Sequence, residues 1–152
     1  MCGIAGLFHL ETPKPVAEGR VRAMADVQAH RGPDGSGVWV APGIGLGHRR
    51  LSIIDVAGSP QPMVSADDGL VITYNGEVYN YQEIRAELLA LGHRFNTHGD
   101  TEVILNGYRQ WGSAVLARLN GMFAFAIHDK AAQTLFLARD RLGVKPLHYV
   151  AL

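Results

Sequence analysis

The sequence predicts an α+β domain in which β-sheets are layered between helices. Strand patterns dominate both ends of the chain, and helical patterns lie between them. Two strand patterns near the C-terminus, residues 122–127 and 135–138, are apolar on both faces, so each side of their sheet must be covered. A chain of 152 residues is long enough for one such domain with a substantial core.

The first half of the chain is predicted to place one helix among short strands. Residues 3–8 are typical of a short buried strand whose glycines permit close approach of another backbone. Residues 16–29 carry apolar side chains at helical spacing. Residues 31–37 (RGPDGSG) are rich in glycine and proline and predict a loop. Residues 38–40 and 44–47 flank a Pro-Gly pair and predict a hairpin.

A further strand and a helix follow. Residues 70–74 predict a β-branched strand that stops at the Asn-Gly pair of residues 75–76. Residues 80–91 predict the best-defined helix of the chain, with apolar side chains along one face. Asn80 is expected to cap the start of this helix, and Gly92 to end it.

The last predicted elements are a second helix and a hairpin. Asp100 is expected to cap the helix, and Gly112 to close it. The two apolar strands 122–127 and 135–138 are joined by a polar turn, which is typical of a hairpin.

Composition excludes several classes of protein. Hydrophobic residues make up 47% and charged residues 18% of the chain, as in ordinary globular domains. The 14 basic and 14 acidic residues cancel, which argues against a nucleic-acid surface or an anionic membrane as partner. A single cysteine cannot form an internal disulfide, so a cytoplasmic location is expected. No apolar stretch has the length of a signal peptide or a membrane span.

The one cysteine, Cys2, directly follows the initiator methionine. Removal of Met1 is expected because the next side chain is small, and it would leave a thiol and a free α-amine on one residue. The unperturbed pKa of an α-amine is about 7.7–8.0, so this amine can act as a base toward the thiol. The alternative is that Cys2 is a small buried hydrophobic residue at the start of a strand.

Other common catalytic signatures are absent from the sequence. The glycines of residues 43–47 lack the third glycine of a dinucleotide-binding loop, and no phosphate-binding loop with a lysine is present. The seven histidines, His48 among them, form no zinc-binding pair and are interpreted as surface or packed structural residues. Cys2 therefore remains the candidate nucleophile, with no metal expected.

The residues around Asn75 complement such a nucleophile. Asn75 and Gly76 can supply a side-chain amide N–H and an open backbone N–H to an oxyanion, although Asn-Gly is also a common turn. Glu77 beside an oxyanion site is best explained by a cationic group on the substrate. An α-amino acid carries that cation, and Arg50 has the fork geometry suited to its carboxylate.

Together these motifs make the chain resemble the glutaminase domain of class II glutamine amidotransferases, which use an N-terminal nucleophile, and specifically the asparagine synthetase branch. The matching stretches are residues 1–8, 31–35, 48–55, 61–62, 74–80, 99–104, 120–125 and 139–146. The resemblance implies a four-layer αββα sandwich of antiparallel sheets between helices. It also implies that residues 1–152 are one amidotransferase domain, incomplete at its C-terminus.

The resemblance assigns the catalytic roles to three residues. Cys2 would attack the side-chain carboxamide of glutamine while its α-amine transfers the proton. Asn75 and Gly76 would form the oxyanion hole. The loop of residues 31–37 would cover bound glutamine.

The resemblance also implies a set of substrate-binding residues. Arg50 would bind the α-carboxylate of glutamine, and Glu77 with Asp100 would hold its α-ammonium group. The same resemblance extends the substrate-binding set to Leu51 and Ile53. The alternatives are that Asp100 is only a helix cap and that Arg50 pairs with a structural carboxylate.

The implied partners are glutamine as substrate and a synthetase domain, or partner chain, that receives ammonia and amidates aspartate. A homodimer is possible. No cofactor is expected in this domain, whereas ATP and magnesium are expected only for the synthetase domain, whose Ser-Gly-Gly-x-Asp-Ser loop is absent from this sequence.

Two alternatives in function stay open at the level of sequence. A related amidotransferase linked to exosortase and polysaccharide clusters would deliver ammonia to another acceptor. A non-catalytic glutamine-binding fragment would result if Met1 were retained and Cys2 blocked.

Overall fold

The computed structural model describes residues 1–51 and 59–151. In chain order the elements are β1 (Gly3–Phe8), α1 (Glu18–Asp26), β2 (Gly35–Ala41), β3 (Ile44–Arg50), β4 (Met63–Val64), β5 (Leu70–Val78), α2 (Tyr81–Ala90), α3 (Asp100–Trp111), β6 (Gly121–Asp129) and β7 (Thr134–Arg139). Short 3₁₀-helices occupy Ala29–Arg31 and Gly112–Ala117. Within the described ranges, no helix has the length and apolarity needed to cross a membrane.

The described residues form two central antiparallel sheets, with strand orders β1-β3-β2 and β4-β5-β6-β7. The outer face of the first sheet packs against α1. Gly45 and Gly47 of β3 make this packing close, because a Cβ atom at Gly45 would lie 2.4 Å from Cγ2 of Val21, and one at Gly47 would lie 3.1 Å from Cβ of Ala25. Larger residues at these two positions would push the helix away from the sheet.

The inner faces of the two sheets meet in a small apolar cluster. Side chains of a strand alternate between its faces, so Ile44 and Leu46 point away from α1 and toward the second sheet. There they join Val71 of β5 and Ala126 of β6. The two sheets are therefore adjacent layers.

The larger hydrophobic core lies on the other side of the second sheet, beneath α2 and α3. It includes Ile72 and Phe125 from the sheet together with Leu88 from α2 and Ile104 from α3. The order of layers is thus helix, sheet, sheet, helices, which confirms the predicted α+β fold with four αββα layers.

Several predicted boundaries are wrong, and one of them matters for the site. β5 does not stop at residues 75–76 but continues to Val78, because its register with β6 runs unbroken from Leu70 to Val78. The predicted loop of residues 31–37 is also shorter than expected, because Gly35 already pairs with Arg50 as the first residue of β2.

The predicted cap of α2 is correct in place but wrong in chemistry, and the predicted cap of α3 is displaced by one residue. Asn80 does precede α2, but its side chain donates to the carbonyl of Arg118 and accepts from the backbone N–H of Asn120 instead of capping the helix. Gly99, not Asp100, is the residue before α3. Gly92 and Gly112 follow their helices with positive φ angles, as predicted.

Candidate active site

The pairing of β1 with β3 places Cys2 next to Arg50. Gly3 is opposite Arg49 in the register, so Cys2 immediately precedes the paired region, beside the end of β3. Arg49 points toward α1, where its guanidinium lies 3.4 Å from the carboxylate of Asp26. Because neighbouring side chains of a strand alternate, Arg50 faces the other way, toward the second sheet.

Cys2 and Arg50 line a cavity of about 200 Å³ between the ends of the two sheets. All predicted site residues within the described ranges border it. Its lining residues are Met1, Cys2, His48, Arg50, Leu51, Ser59, Gln61, Tyr74, Asn75, Gly76, Glu77, Asp100, Thr101, Met122 and Lys145. Ile53, the remaining predicted site residue, lies outside the described residues.

The Cys2 side chain is half-buried and is held by the backbone at the end of β3. Its Sγ atom lies 3.4 Å from the backbone nitrogen of Leu51 and 3.5 Å from the backbone oxygen of that residue. The carbonyl of Cys2 accepts a hydrogen bond of 3.2 Å from Nε of Arg31. These contacts fix the thiol at the cavity, where a carbonyl carbon can approach it.

Asn75 and Gly76 lie in the middle of β5, opposite Ala124 and Phe123 of β6. The alternative interpretation of this pair as a turn is therefore wrong. A Cβ atom at Gly76 would lie 2.3 Å from the carbonyl oxygen of Met122, so only glycine fits here without moving the neighbouring strand. A rigid strand is a suitable support for preorganised hydrogen-bond donors.

Asp100 forms the acidic end of the cavity together with Glu77. Its Oδ2 atom accepts hydrogen bonds from the Tyr74 hydroxyl at 2.6 Å and from the backbone nitrogen of Val78 at 2.9 Å. Burial raises the pKa of Asp100, and the hydrogen bonds from Tyr74 and Val78 partly offset this effect. The idea that Asp100 serves only as a helix cap is wrong, since its carboxylate ties α3 to β5 at the cavity wall.

Gln61 connects the same two elements, and sequence reasoning gave it no role. Its side-chain oxygen accepts from the backbone nitrogen of Tyr74, and its side-chain nitrogen donates to the hydroxyl of Thr101. Tyr74 lies beyond the short pairing of β4 with β5, which reaches only Ile72. Gln61 thus satisfies an edge N–H of β5 that no strand in the described part of the chain satisfies.

Lys145 is a second cation at the cavity besides Arg50. The sequence did not identify it as a site residue. It is 4% exposed and follows a turn organised by Asp140. The Asp140 carboxylate accepts hydrogen bonds from the backbone nitrogens of Phe123, Val144 and Lys145. The motif 139–146 therefore positions a lysine at the site, and only the fold brings it there.

His48 is the third cavity residue, after Gln61 and Lys145, that the sequence did not assign to the site. It is buried and forms part of the cavity wall. It is 1% exposed, and its Nδ1 atom lies 3.1 Å from the hydroxyl oxygen of Thr73. Burial, with a smaller effect from the Arg50 charge, lowers the pKa of His48 from 6.5 to about 3. Of the two predicted alternatives, surface or packed, His48 is packed. Its place two residues before Arg50 puts it on the same face of β3, a signal that the sequence already contained.

This pKa predicts a pH-dependent stability. The imidazole stays neutral in the folded protein down to about pH 3, whereas in the unfolded chain it takes up a proton below pH 6.5. The contribution is therefore fully present above pH 6.5 and is lost as the pH falls toward 3. Between pH 7 and pH 5 the free energy of unfolding should drop by about 2 kcal/mol more in the wild type than in His48→Asn. Urea unfolding of both proteins at the two pH values measures this difference, and equal pH dependence would contradict it.

Comparison with known proteins identifies the class to which this fold and cavity belong. The chain is a member of the glutamine amidotransferase domain family, which it matches over residues 1–152. It is 43% identical over 151 residues to asparagine synthetase (glutamine-hydrolysing) 3 of Bacillus subtilis, covering 98% of this chain and 25% of that protein. It is 38% identical over 148 residues to asparagine synthetase B of Escherichia coli, covering 97% and 26% respectively. These similarities confirm the predicted resemblance to the asparagine synthetase branch, and the chain spans about a quarter of the length of these relatives.

Solved structures confirm the fold at much lower sequence similarity. The glutamine phosphoribosylpyrophosphate amidotransferase of B. subtilis matches 96% of this chain and 38% of its own, with a TM-score of 0.74 and 20% identity. An allosteric regulatory enzyme of purine biosynthesis matches the same shares, with a TM-score of 0.77 and 21% identity. At this level of identity the likeness concerns the fold alone.

Proposed function

We propose that this domain hydrolyses glutamine to glutamate and ammonia, with Cys2 as the nucleophile. The observation that carries the proposal is the shared cavity, which brings a thiol, hydrogen-bond donors on a rigid strand and charged groups of both signs within reach of one small molecule. Membership of the glutamine amidotransferase family supports the choice of glutamine.

The reaction begins with attack of the Cys2 sulfur on the carboxamide carbon. The side-chain N–H of Asn75 and the backbone N–H of Gly76 stabilise the oxyanion that forms, because preorganised donors cost no reorganisation during the reaction. The α-amine of Cys2, free once Met1 is removed, takes the thiol proton and delivers it to the leaving ammonia. Water then hydrolyses the γ-glutamyl thioester to give glutamate.

The charged ends of glutamine match the two signs of charge at the cavity. Arg50 binds the α-carboxylate through parallel hydrogen bonds. Glu77 and Asp100 bind the α-ammonium, and the Tyr74 hydroxyl keeps the Asp100 carboxylate in place. Simple amides lack both charges and leave these groups unpaired, so they should be very poor substrates. Leu51 and Ile53 complete the proposed substrate-binding set.

No cofactor is needed for this chemistry in the proposed mechanism. The relatives are named glutamine-hydrolysing asparagine synthetases. We propose that the ammonia passes to a synthetase region or partner chain that uses ATP and magnesium to amidate aspartate. Asparagine formation from aspartate, ATP and glutamine by this domain together with its synthetase partner tests the acceptor. Ammonia release without asparagine would favour a different acceptor.

Arg50→Ala tests the binding part of the proposal. Loss of a charge-assisted hydrogen bond costs about 1.5–3 kcal/mol, so KM for glutamine should rise by about 10–150-fold with a much smaller change in kcat. The measurement is steady-state ammonia release over a wide range of glutamine concentrations. Arg49→Ala is the matched control, because that neighbouring arginine faces α1 and Asp26. Equal effects of the two substitutions would contradict the assignment.

A further inference from the structure

His48 lines the same cavity as the proposed nucleophile, and one of its buried ring nitrogens has no hydrogen-bond partner among the described residues. Its Nε2 atom is buried and has no hydrogen-bond partner among residues 1–51 and 59–151. Burying an unsatisfied acceptor costs about 1–3 kcal/mol, and such groups in native proteins are usually satisfied by water or a ligand. Since the ring borders the cavity, a molecule in the cavity is the natural partner.

The hydrogen bonds of the other ring nitrogen fix what this partner must be. The Thr73 hydroxyl donates to the carbonyl of Gly47 at 3.2 Å, so its oxygen is left to accept from Nδ1–H of His48. With the proton on Nδ1 and the ring neutral, Nε2 carries a lone pair and can only accept. The partner must therefore bring an N–H or O–H group, which excludes the carboxylate and the carbonyl oxygen of glutamine.

The strand registers place the His48 side chain one row from Cys2 on the same face of the first sheet. His48 is opposite Ile4 in the pairing of β1 with β3, one side-chain row deeper than Cys2 and Arg50. On β5, Thr73 is likewise one row deeper than Asn75. His48 thus lies on the Cys2 and Asn75 side of the cavity, away from the Asp100 carboxylate that the hydrogen bonds of Tyr74 and Val78 fix at the other end.

We propose that Nε2 of His48 accepts a hydrogen bond from the water molecule that hydrolyses the thioester and thereby positions that water. This inference rests on the proposed glutaminase function. The water oxygen bonds to the thioester carbonyl carbon as the carbon–sulfur bond breaks. One water proton passes through the α-amine of Cys2 to the departing sulfur, and the other is released when the γ-carboxyl of glutamate ionises. His48 keeps its single proton throughout and acts as a positioning residue.

Two substitutions separate the two nitrogens of the ring. In His48→Asn, the shorter amide can still donate to Thr73 but leaves the Nε2 position empty. In His48→Gln, the longer amide can present its oxygen near the Nε2 position but no longer serves Thr73. A purely structural role would make His48→Asn the milder change, whereas the proposed role makes it the more severe one.

The test resolves acylation from hydrolysis in single turnovers with glutamine, followed by rapid quench and intact mass. In His48→Asn the ammonia burst should keep its rate, thioester hydrolysis should slow by about 10–100-fold, and the γ-glutamyl adduct on Cys2 should accumulate. Hydroxylamine, a stronger nucleophile that does not depend on a positioned water, should restore turnover as the hydroxamate. His48→Gln should accumulate less adduct.

Several results would overturn the proposal. They are an unchanged hydrolysis rate in His48→Asn, a slowed ammonia burst without adduct, or a milder effect in His48→Asn than in His48→Gln. If neither variant folds, ¹⁵N-histidine NMR of the wild type at pH 7 decides the point, because a proton on Nε2 would exclude an acceptor role. A wild type without any glutaminase activity would instead refute the proposed function itself.

Discussion

Cys2→Ala is expected to abolish glutamine hydrolysis while leaving glutamine binding largely intact. The substitution removes the sulfur that forms the thioester but none of the charged groups proposed to hold the substrate. Removal of a nucleophile from a group of residues that act together costs as much as removal of the whole group. Ammonia release measures the first effect, and calorimetric titration with glutamine measures the second.

Measuring both hydrolysis and glutamine binding in Cys2→Ala distinguishes a catalytic role of Cys2 from a structural one or a binding one. If Cys2 is only a small buried residue at the start of β1, alanine should be tolerated and hydrolysis should continue. Hydrolysis at the wild-type rate by Cys2→Ala would therefore refute the account. Loss of both activity and binding, with the free energy of unfolding unchanged, would assign Cys2 to binding instead.

Asn75→Ala should lower kcat by about 10²–10³, equivalent to a loss of about 2.7–4 kcal/mol of transition-state stabilisation. KM should change little, because the proposed hydrogen bond strengthens only as the oxyanion develops. Steady-state kinetics give both constants. The change also empties a buried position, since Asn75 is 4% exposed, so stability must be measured alongside.

Asn106→Ala is the matched control for this loss of a buried amide. Asn106 is 5% exposed, donates to the carbonyl of Arg94 and is not among the residues that line the cavity. It should cost stability and leave kcat unchanged. If both variants lose kcat in proportion to their loss of stability, Asn75 is a structural residue and not an oxyanion donor.

The fold was largely predictable because its signals are local. Apolar periodicity located the strands and helices, and the apolar faces on both sides of the C-terminal strands required covering layers. Strand ends were less predictable. Asn75-Gly76 resembles a turn by local propensity, but pairing with β6 keeps it extended, and tertiary contacts override propensity in sheets.

The residues of the site were identified through the resemblance more than through spacing. Nothing in local sequence connects Cys2 with Asp100, which meet only because two sheets stack and α3 begins at their edge. The prediction that Asp100 caps α3 fails for the same reason. Its carboxylate accepts hydrogen bonds from the Tyr74 hydroxyl and the Val78 N–H, which both lie outside the helix.

The residues that were missed are those whose role depends on long-range contacts. Gln61 contacts β5 and α3 from a segment without regular structure, and Lys145 reaches the cavity through a turn held by Asp140. His48 was predicted to be a surface or packed structural residue, and the sequence could not show that Thr73 bonds one ring nitrogen while the other has no partner among the described residues.

The most direct test of the central claim is the intact mass of the purified chain before and after reaction with diazo-oxo-norleucine, an electrophilic analogue of glutamine. The account predicts a mass lacking Met1, followed by one stoichiometric adduct that maps to Cys2 and that excess glutamine prevents from forming. A processed chain that gains no adduct, or an adduct that glutamine does not suppress, would contradict the proposal that Cys2 is the nucleophile of a glutamine site.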